Sequence, residues 1–303
     1  MDAMPSARSP FAADLLASKR ILITGGGTGL GRGLARHLAE HGAQVHLWGR
    51  RESALREAAG ETSASRPGSV HVQAVDVREF DQVDAAMEAL WTAHGPLTGV
   101  VNNAAANFIS PTEQLSPRAF EAVTRTVMNG SFHTTLAAGR RWIAGGLPGS
   151  VLSTLTTWVW TGSAFVVPSA MAKAAVHAMT MSLAVEWARY GIRVNALAPG
   201  PIPTSYAWEM LNPTDSSSAG ATQADQVPAG RAGTIEELAN LTMFLLSDAC
   251  DYLTGQTIAM DGGQMLAGPG TFAGLASLSD ADWQEISARS RAATAASKVQ
   301  RSV

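Results

Sequence analysis

The chain has 303 residues, 46% hydrophobic and only 16% charged, and its 22 basic against 25 acidic side chains leave a net charge of −3. That balance excludes a protein that works by neutralising nucleic-acid phosphates, and the apolar content excludes a disordered chain. A single cysteine, Cys250, and seven scattered histidines give neither a disulfide framework nor metal-ligand spacing, so no metal is expected and a reducing, cytoplasmic setting is. Residues 1–18 carry Asp2, Pro5, Pro10 and Asp14, lack the apolar core of a signal peptide, and read as an N-terminal extension. No stretch approaches the ~18 apolar residues of a membrane helix.

In chain order, short apolar runs alternate with helical stretches. Arg20–Thr24 reads as a buried strand, and Gly29–His41 as a helix with Leu30, Leu34 and Leu38 on one face. Strand Gln44–Trp48, helix Glu52–Ala59, strand Val70–Val75 and helix Phe80–His94 follow, then strand Gly99–Asn102 and a long helix Pro117–Ala144. Strand Ser150–Leu155, helix Ser169–Tyr190, strand Ile192–Leu197, helix Ile235–Ser247 and strand Gln256–Met260 complete the series. Fully apolar strands separated by helices imply a parallel sheet covered on both faces. The expected architecture is one doubly wound α/β Rossmann domain over 19–265, with ligands at the carboxyl edge of the sheet. The Pro/Ser/Gly-rich stretch 199–233 reads as a loop closing over substrate rather than a linker. Residues 266–303 read as a C-terminal extension, with a short helix starting near Ser279 and Asp282 and a polar tail.

Thr24-Gly25-Gly26-Gly27-Thr28-Gly29-Leu30-Gly31 follows the first strand and opens the first helix. The strict G-x-G-x-x-G template fails here, but Gly25, Gly29 and Gly31 serve the same physics: a tight turn that brings a pyrophosphate to backbone N–H groups at a helix N-terminus. The second strand ends in Trp48-Gly49-Arg50-Arg51, without the carboxylate that would grip the ribose hydroxyls of NAD. An arginine there pairs with a 2′-phosphate, so NADPH is expected over NADH, with Arg50 as the main contact. Asp76 ends the third strand and is placed to meet adenine.

With these residues the chain resembles the short-chain dehydrogenase/reductase superfamily. Thr24-Gly25-x-x-x-Gly29-x-Gly31, Asn102-Asn103-Ala104-Ala105, Pro199-Gly200-Pro201-Ile202 and Asp261-Gly262-Gly263 match its motifs, and the likeness runs over roughly 19–283. The resemblance implies the strand order 3-2-1-4-5-6-7, a homotetramer built on the two long helices, and a cofactor set of Gly25, Gly27, Thr28, Gly29, Leu30, Gly31, Arg50, Asp76, Val77, Asn103, Ala104, Lys173, Pro199, Gly200, Pro201 and Ile202. Its usual Tyr, one helical turn before the Lys, is here Ser169, with Lys173 in place. None of the three tyrosines, Tyr190, Tyr206 and Tyr252, precedes a lysine by one turn.

That departure, with Asn102–Glu113 and Thr161–Lys173, is similar to the mitochondrial-type 2,4-dienoyl-CoA reductases, which also carry Ser at that place. The resemblance implies that Asn107 holds the thioester carbonyl, Lys173 binds the nicotinamide ribose, Ser169 supports Lys173, and Asn129 organises a water. It implies that Arg78, Phe108 and Ser116 meet the acyl-CoA substrate. Two positions depart from that branch: Trp158 stands where it has a substitute Tyr, and Met210 where it has an Arg. An indole N–H donates a hydrogen bond but is no proton acid near neutral pH. The expected reaction is hydride addition to a conjugated acyl-CoA, with the enolate oxygen held by Asn107 and Trp158. A reductase of another activated alkene or carbonyl, and a cofactor-binding protein that has lost catalysis, remain open.

Overall fold

The computed structural model describes residues 9–65, 68–107, 109–204, 227–268, 279–282 and 284. The chain divides into two compact units, Met1–Gly263 and Gln264–Val303. The first holds a seven-stranded sheet: β1 (Arg20–Thr24), β2 (Gln44–Gly49), β3 (Val70–Ala74), β4 (Gly99–Asn102), β5 (Gly149–Thr154), β6 (Ile192–Pro199) and β7 (Thr257–Met260). The strand order is β3-β2-β1-β4-β5-β6-β7 and every pairing is parallel. The order expected from the motifs is therefore observed. The second unit holds α9 (Gln264–Ala267) and, as the sequence suggested, a helical segment at residues 280–282 and 284, entered through a reciprocal pair in which Ser279 N donates to Asp282 Oδ2 at 2.7 Å and Asp282 N to Ser279 Oγ at 3.3 Å. The tail after Arg291 lies outside the described residues.

Apolar residues on both faces of each central strand require two helical layers. On one face α1 (Gly29–Glu40), α2 (Glu52–Ser65) and α8 (Ile235–Leu246) bury Leu34, Leu38, Leu55, Leu238 and Met243 against Ile21, Ile23 and Leu47. Leu16, from segment 1–18, joins this core, and its N–H donates to the His41 carbonyl at 2.8 Å. On the other face α3 (Phe80–His94), α5 (Gly130–Gly145) and α7 (Val167–Trp187) bury Met87, Trp142 and Trp187 against Leu22 and Val100. The helix α8 begins with a capping box, in which Thr234 accepts from Glu237 N and Glu237 accepts from Thr234 N.

The helix expected over 117–144 is divided. The first piece, α4 (Pro117–Thr124), runs into a π turn over Arg125–Asn129 before α5 begins. The hydroxyls of Thr124 and Thr126 bond back to the Phe120 and Ala122 carbonyls, at 3.2 and 2.8 Å, competing with the backbone ladder where it widens. Single π turns of this kind concentrate at functional sites, and this one ends on Asn129. The short helix α6 (Trp158–Thr161), just after β5, is a further element. Among the described residues no helix is long and apolar enough to cross a membrane.

Candidate active site

The cofactor motif is built on one hydroxyl. At the end of β1, Thr24 Oγ1 accepts the N–H groups of Asn103 and Ala104, each at 3.0 Å, and donates to the Val101 carbonyl at 3.4 Å. Asn103 Nδ2 in turn donates to the carbonyls of Thr24 and Gly25, at 3.1 and 3.3 Å. The ends of β1 and β4 are thus tied together under the glycine loop. Gly25 has φ +67°, and a Cβ there would stand 2.9 Å from Ala104 Cα; one on Gly31 would stand 2.5 Å from the Gly25 carbonyl oxygen. Thr28 precedes α1 without a capping side-chain bond, which leaves the first amides of the helix to face a ligand. A close backbone approach and an uncapped helix N-terminus fit a pyrophosphate. Gly27 packs on Ala54 and Leu55 and so sets the approach of α2. Leu30 is half-buried in the first turn of α1.

Around this loop the strand ends bring the other expected residues to the same edge. Arg50 is exposed beyond β2. Asp76, beyond β3, takes the Arg78 guanidinium in a fork, Nε to Oδ1 at 2.9 Å and Nη2 to Oδ2 at 2.5 Å. That hydrogen bonding holds the Asp76 carboxyl below its ordinary pKa against the opposing effect of burial, and Arg50 adds to it. Val77 is buried, and its carbonyl meets His133 Nδ1 at 2.9 Å. Gly200 N donates to the Met260 carbonyl at 3.0 Å, and a Cβ on Gly200 would lie 2.7 Å from Asp261 Cα; Pro201 accepts from Gly233 N at 2.9 Å, and Ile202 is half-buried.

Catalytic candidates converge through packing. Val123 just before the π turn and Val127 within it, Ala172 next to Lys173 and Ala106 next to Asn107 form one small apolar cluster. It joins the segments that carry Asn107, Asn129 and Lys173. The Ser110 N–H also donates to the Phe165 carbonyl at 2.9 Å, linking the Asn107 loop to the entry of α7. Ser169 and Lys173 sit one helical turn apart on α7, both buried. The Lys173 ammonium donates to the Thr154 carbonyl at the end of β5. Burial lowers its pKa to about 8. Trp158, half-buried, opens α6 four residues beyond that carbonyl.

Tyr190 lies 17 residues after Lys173, about 25 Å along the helix at 1.5 Å per residue, and Tyr252 is fully exposed before β7. Ser116 is the N-cap of α4, accepting from Ala119 N at 3.2 Å. Trp142 is core, its Nε1 donating to Leu97 O at 2.7 Å, and His177 bonds Thr257 Oγ1 at 2.8 Å beneath the exposed ring of Trp160. Phe108, Tyr206 and Met210 lie outside the described residues. The motif reading gave no role to Thr154, whose carbonyl is recognisable only once α7 is packed on β5. It also passed over Thr135 and Ser153, which receive the buried Asn102 Nδ2 at 2.8 and 3.4 Å.

Residues 25–265 match the family profile described as enoyl-(acyl carrier protein) reductase. The chain belongs to the short-chain dehydrogenase/reductase family. A probable 2,4-dienoyl-CoA reductase of Bacillus subtilis (strain 168) is 42% identical over 252 residues, 83% of this chain and 98% of that one. A short-chain dehydrogenase structure from Bacillus anthracis has TM-score 0.74 at 40% identity, covering 82% and 97% of the two chains. A gluconate 5-dehydrogenase from Burkholderia cenocepacia, in complex with NADP and tartrate, has TM-score 0.75 at 32% identity over 84% and 98%. The protein is an oxidoreductase of this family, whose fold binds a nicotinamide cofactor.

The buried Lys173 gives a pH signature. The unfolded chain keeps the lysine proton to about pH 10.4, whereas the folded protein releases it near pH 8. Between those values the unfolded state binds the extra proton, so stability rises with pH, and below pH 8 this contribution is constant. Urea unfolding from pH 7.5 to 9.5 is expected to show that rise in the wild type and not in Lys173→Met; identical pH profiles contradict it.

Proposed function

We propose that the protein is an NADPH-dependent reductase of conjugated acyl-CoA thioesters, 2,4-dienoyl or 2-enoyl, acting as a homotetramer in the cytoplasm. The observation that carries this reading is the buried Ser169 standing one turn before Lys173, where carbonyl reductases of the family need a phenol. Making an alcohol requires a proton delivered to oxygen, and a serine hydroxyl is far too weak an acid for that. Reducing a conjugated thioester requires only that the enolate oxygen be held by hydrogen bonds while carbon is protonated. The 42%-identical relative named as a probable 2,4-dienoyl-CoA reductase supports the same choice of substrate.

Held at this site, NADPH would supply a hydride for the far end of the conjugated system. The chain does the rest. The Asn107 side-chain amide and the Trp158 indole N–H donate to the thioester oxygen as charge builds there, and water protonates the carbon. Lys173 holds the nicotinamide ribose, Ser169 supports it, and Asn129 orders a water beside it. The glycine loop and the first turn of α1 hold the pyrophosphate, Asp76 meets adenine, and Arg50 selects the 2′-phosphate. Arg78, already oriented by its fork to Asp76, meets the CoA portion with Ser116 and Phe108. The cytoplasm is argued from the single cysteine, Cys250, buried as a free thiol.

The tetramer is argued from the large apolar side chains left exposed on the π turn, α5 and α7: Met128, Phe132, Met181 and Val185, the last 84% exposed. Sedimentation at the four-subunit mass supports it, and a monomer removes it.

The test is nicotinamide absorbance with 2,4-dienoyl-CoA, 2-enoyl-CoA, and matched aldehydes and ketones. Turnover with the conjugated thioesters alone is expected. Asn107→Ala should lower kcat by about 10²–10³, the usual loss for one oxyanion donor, and Arg50→Ala should weaken NADPH without weakening NADH. Turnover of ketones alone would move the reading to a carbonyl reductase. NADPH binding without any turnover would leave a cofactor-binding protein.

A further inference from the structure

Three imidazoles pack together on the α3 side of the sheet, away from the strand ends that form the site. His46 on β2 and His71 on β3 are register partners, their rings stacked with centroids 5.0 Å apart at 21°. His94, the last residue of α3, lies 4.9 Å from His46 and 4.1 Å from His71. With Trp48, Gln73 and Ala93 they line a cavity of about 210 Å³. His46 is 3% exposed and its Nε2 has no hydrogen-bond partner. The His71 Nε2 meets Gln44 Nε2 at 3.1 Å. Such a group in a native structure asks for an explanation.

The neighbours hold no counter-charge. From β3 His46 faces His71, from α3 His94, and from β1 the Arg20 guanidinium, each of which disfavours a proton on it. Arg20 itself is held by the Pro96 carbonyl at 2.7 Å, beside the turn that follows His94. Among the described residues no group of His, Cys, Asp or Glu is spaced to hold a metal ion.

We propose that the His46–His71–His94 cluster is an acid-sensitive latch that closes the β2–β3 edge of the sheet onto α3 only while the His46 and His71 rings are neutral. A proton on His46 places a cation between two imidazoles and near Arg20, in a pocket whose lining holds no carboxylate to receive it. The relief available is separation of β3, the edge strand, and of the end of α3 from β2. Both strands run on from the latch to the carboxyl edge: β2 through Trp48 and Gly49 to Arg50, β3 through Ala74 to Asp76. Acid loosening therefore spreads to the residues that, on the proposed cofactor reading, hold the adenosine end of NADPH; the latch itself does not depend on that reading.

The direction of the pH dependence follows from burial. Desolvation first, then the neighbouring rings, lowers His46 to about 3, and desolvation with His94 lowers His71. Near and above pH 7 the folded and unfolded chains are both neutral at these positions. As pH falls below the ordinary histidine pKa of about 6.5 the unfolded chain takes up protons that the folded one refuses. The unfolding constant then rises by up to about tenfold per pH unit for each protected imidazole, until the folded pKa is reached.

The test is denaturant unfolding of the cofactor-free full chain at pH 7.5, 6.5, 5.5 and 5.0, in the wild type, His46→Leu and His94→Ala. The wild type should lose stability steeply below pH 6.5; His46→Leu, if it folds, should show a shallower slope, by up to about tenfold less change in the unfolding constant per pH unit, and His94→Ala, which removes a neighbour of both rings, should also show a shallower slope. The half-buried helix end at His94 keeps the test intact if His46→Leu does not fold. Hydrogen exchange at pH 5.5, corrected for intrinsic rate, should show protection lost first in β2 and β3, with β5 and β6 still protected. Equal pH slopes in wild type and variants, or uniform loss of protection across the sheet, overturn the latch. NADPH affinity is read separately, so a latch without an effect on NADPH would count against the cofactor reading and not against the latch.

Discussion

The site depends on keeping an ammonium group buried. Lys173 is carried into the protein by α7 and finds the Thr154 carbonyl at the end of β5. Burying a charge is unfavourable unless it is hydrogen-bonded, so this contact fixes the position of α7 against the sheet as well as the lysine head. Ser169, one turn earlier, is carried in with it. The apolar cluster of Val123, Val127, Ala172 and Ala106 then sets the depth at which the π turn and the loop after β4 meet the helix. That packing brings together the segments that carry Asn107 and Asn129.

The same logic operates on the nucleotide side with a neutral group. Thr24 ends a buried strand with one hydroxyl that serves two amides of the loop after β4 and one carbonyl of β4 itself. The glycines above it are small because backbone and the Asn103 amide occupy the space a side chain would need, as the 2.5 Å approach at Gly31 shows. Strand ends tied together with uncapped helix amides over them are suited to receive an anion without rearrangement. The Asp76–Arg78 fork belongs to the same class of pre-ordered group, and its formation means that these two residues cannot be altered independently.

Much of this was legible in the residue order. Seven apolar runs between helical stretches imply a parallel sheet, because only burial on both faces removes the alternation of polar and apolar residues. The glycine loop between β1 and α1 was legible because its pattern is local in sequence. What escaped was long-range or one residue in size. The π turn inserts a single residue into a helix whose apolar spacing barely changes, so periodicity over Pro117–Ala144 shows one helix. Trp158–Thr161 is too short and too apolar to separate from a strand end. The histidine cluster needs the register of β2 with β3 and the landing point of α3, and Thr154 acts through a carbonyl that every residue type possesses.

On the proposed reading, a site without the family phenol is suited to a conjugated thioester because hydrogen bonds to oxygen suffice there. The most direct measurement is reaction of the full-length protein with a 2,4-dienoyl-CoA and NADPH deuterated at the transferred position, with the product's label located by NMR. Deuterium on the carbon at the far end of the diene, with an unlabelled proton taken from water at the enolate carbon or its conjugated partner, is the predicted result. Deuterium on the thioester carbonyl carbon would contradict the account.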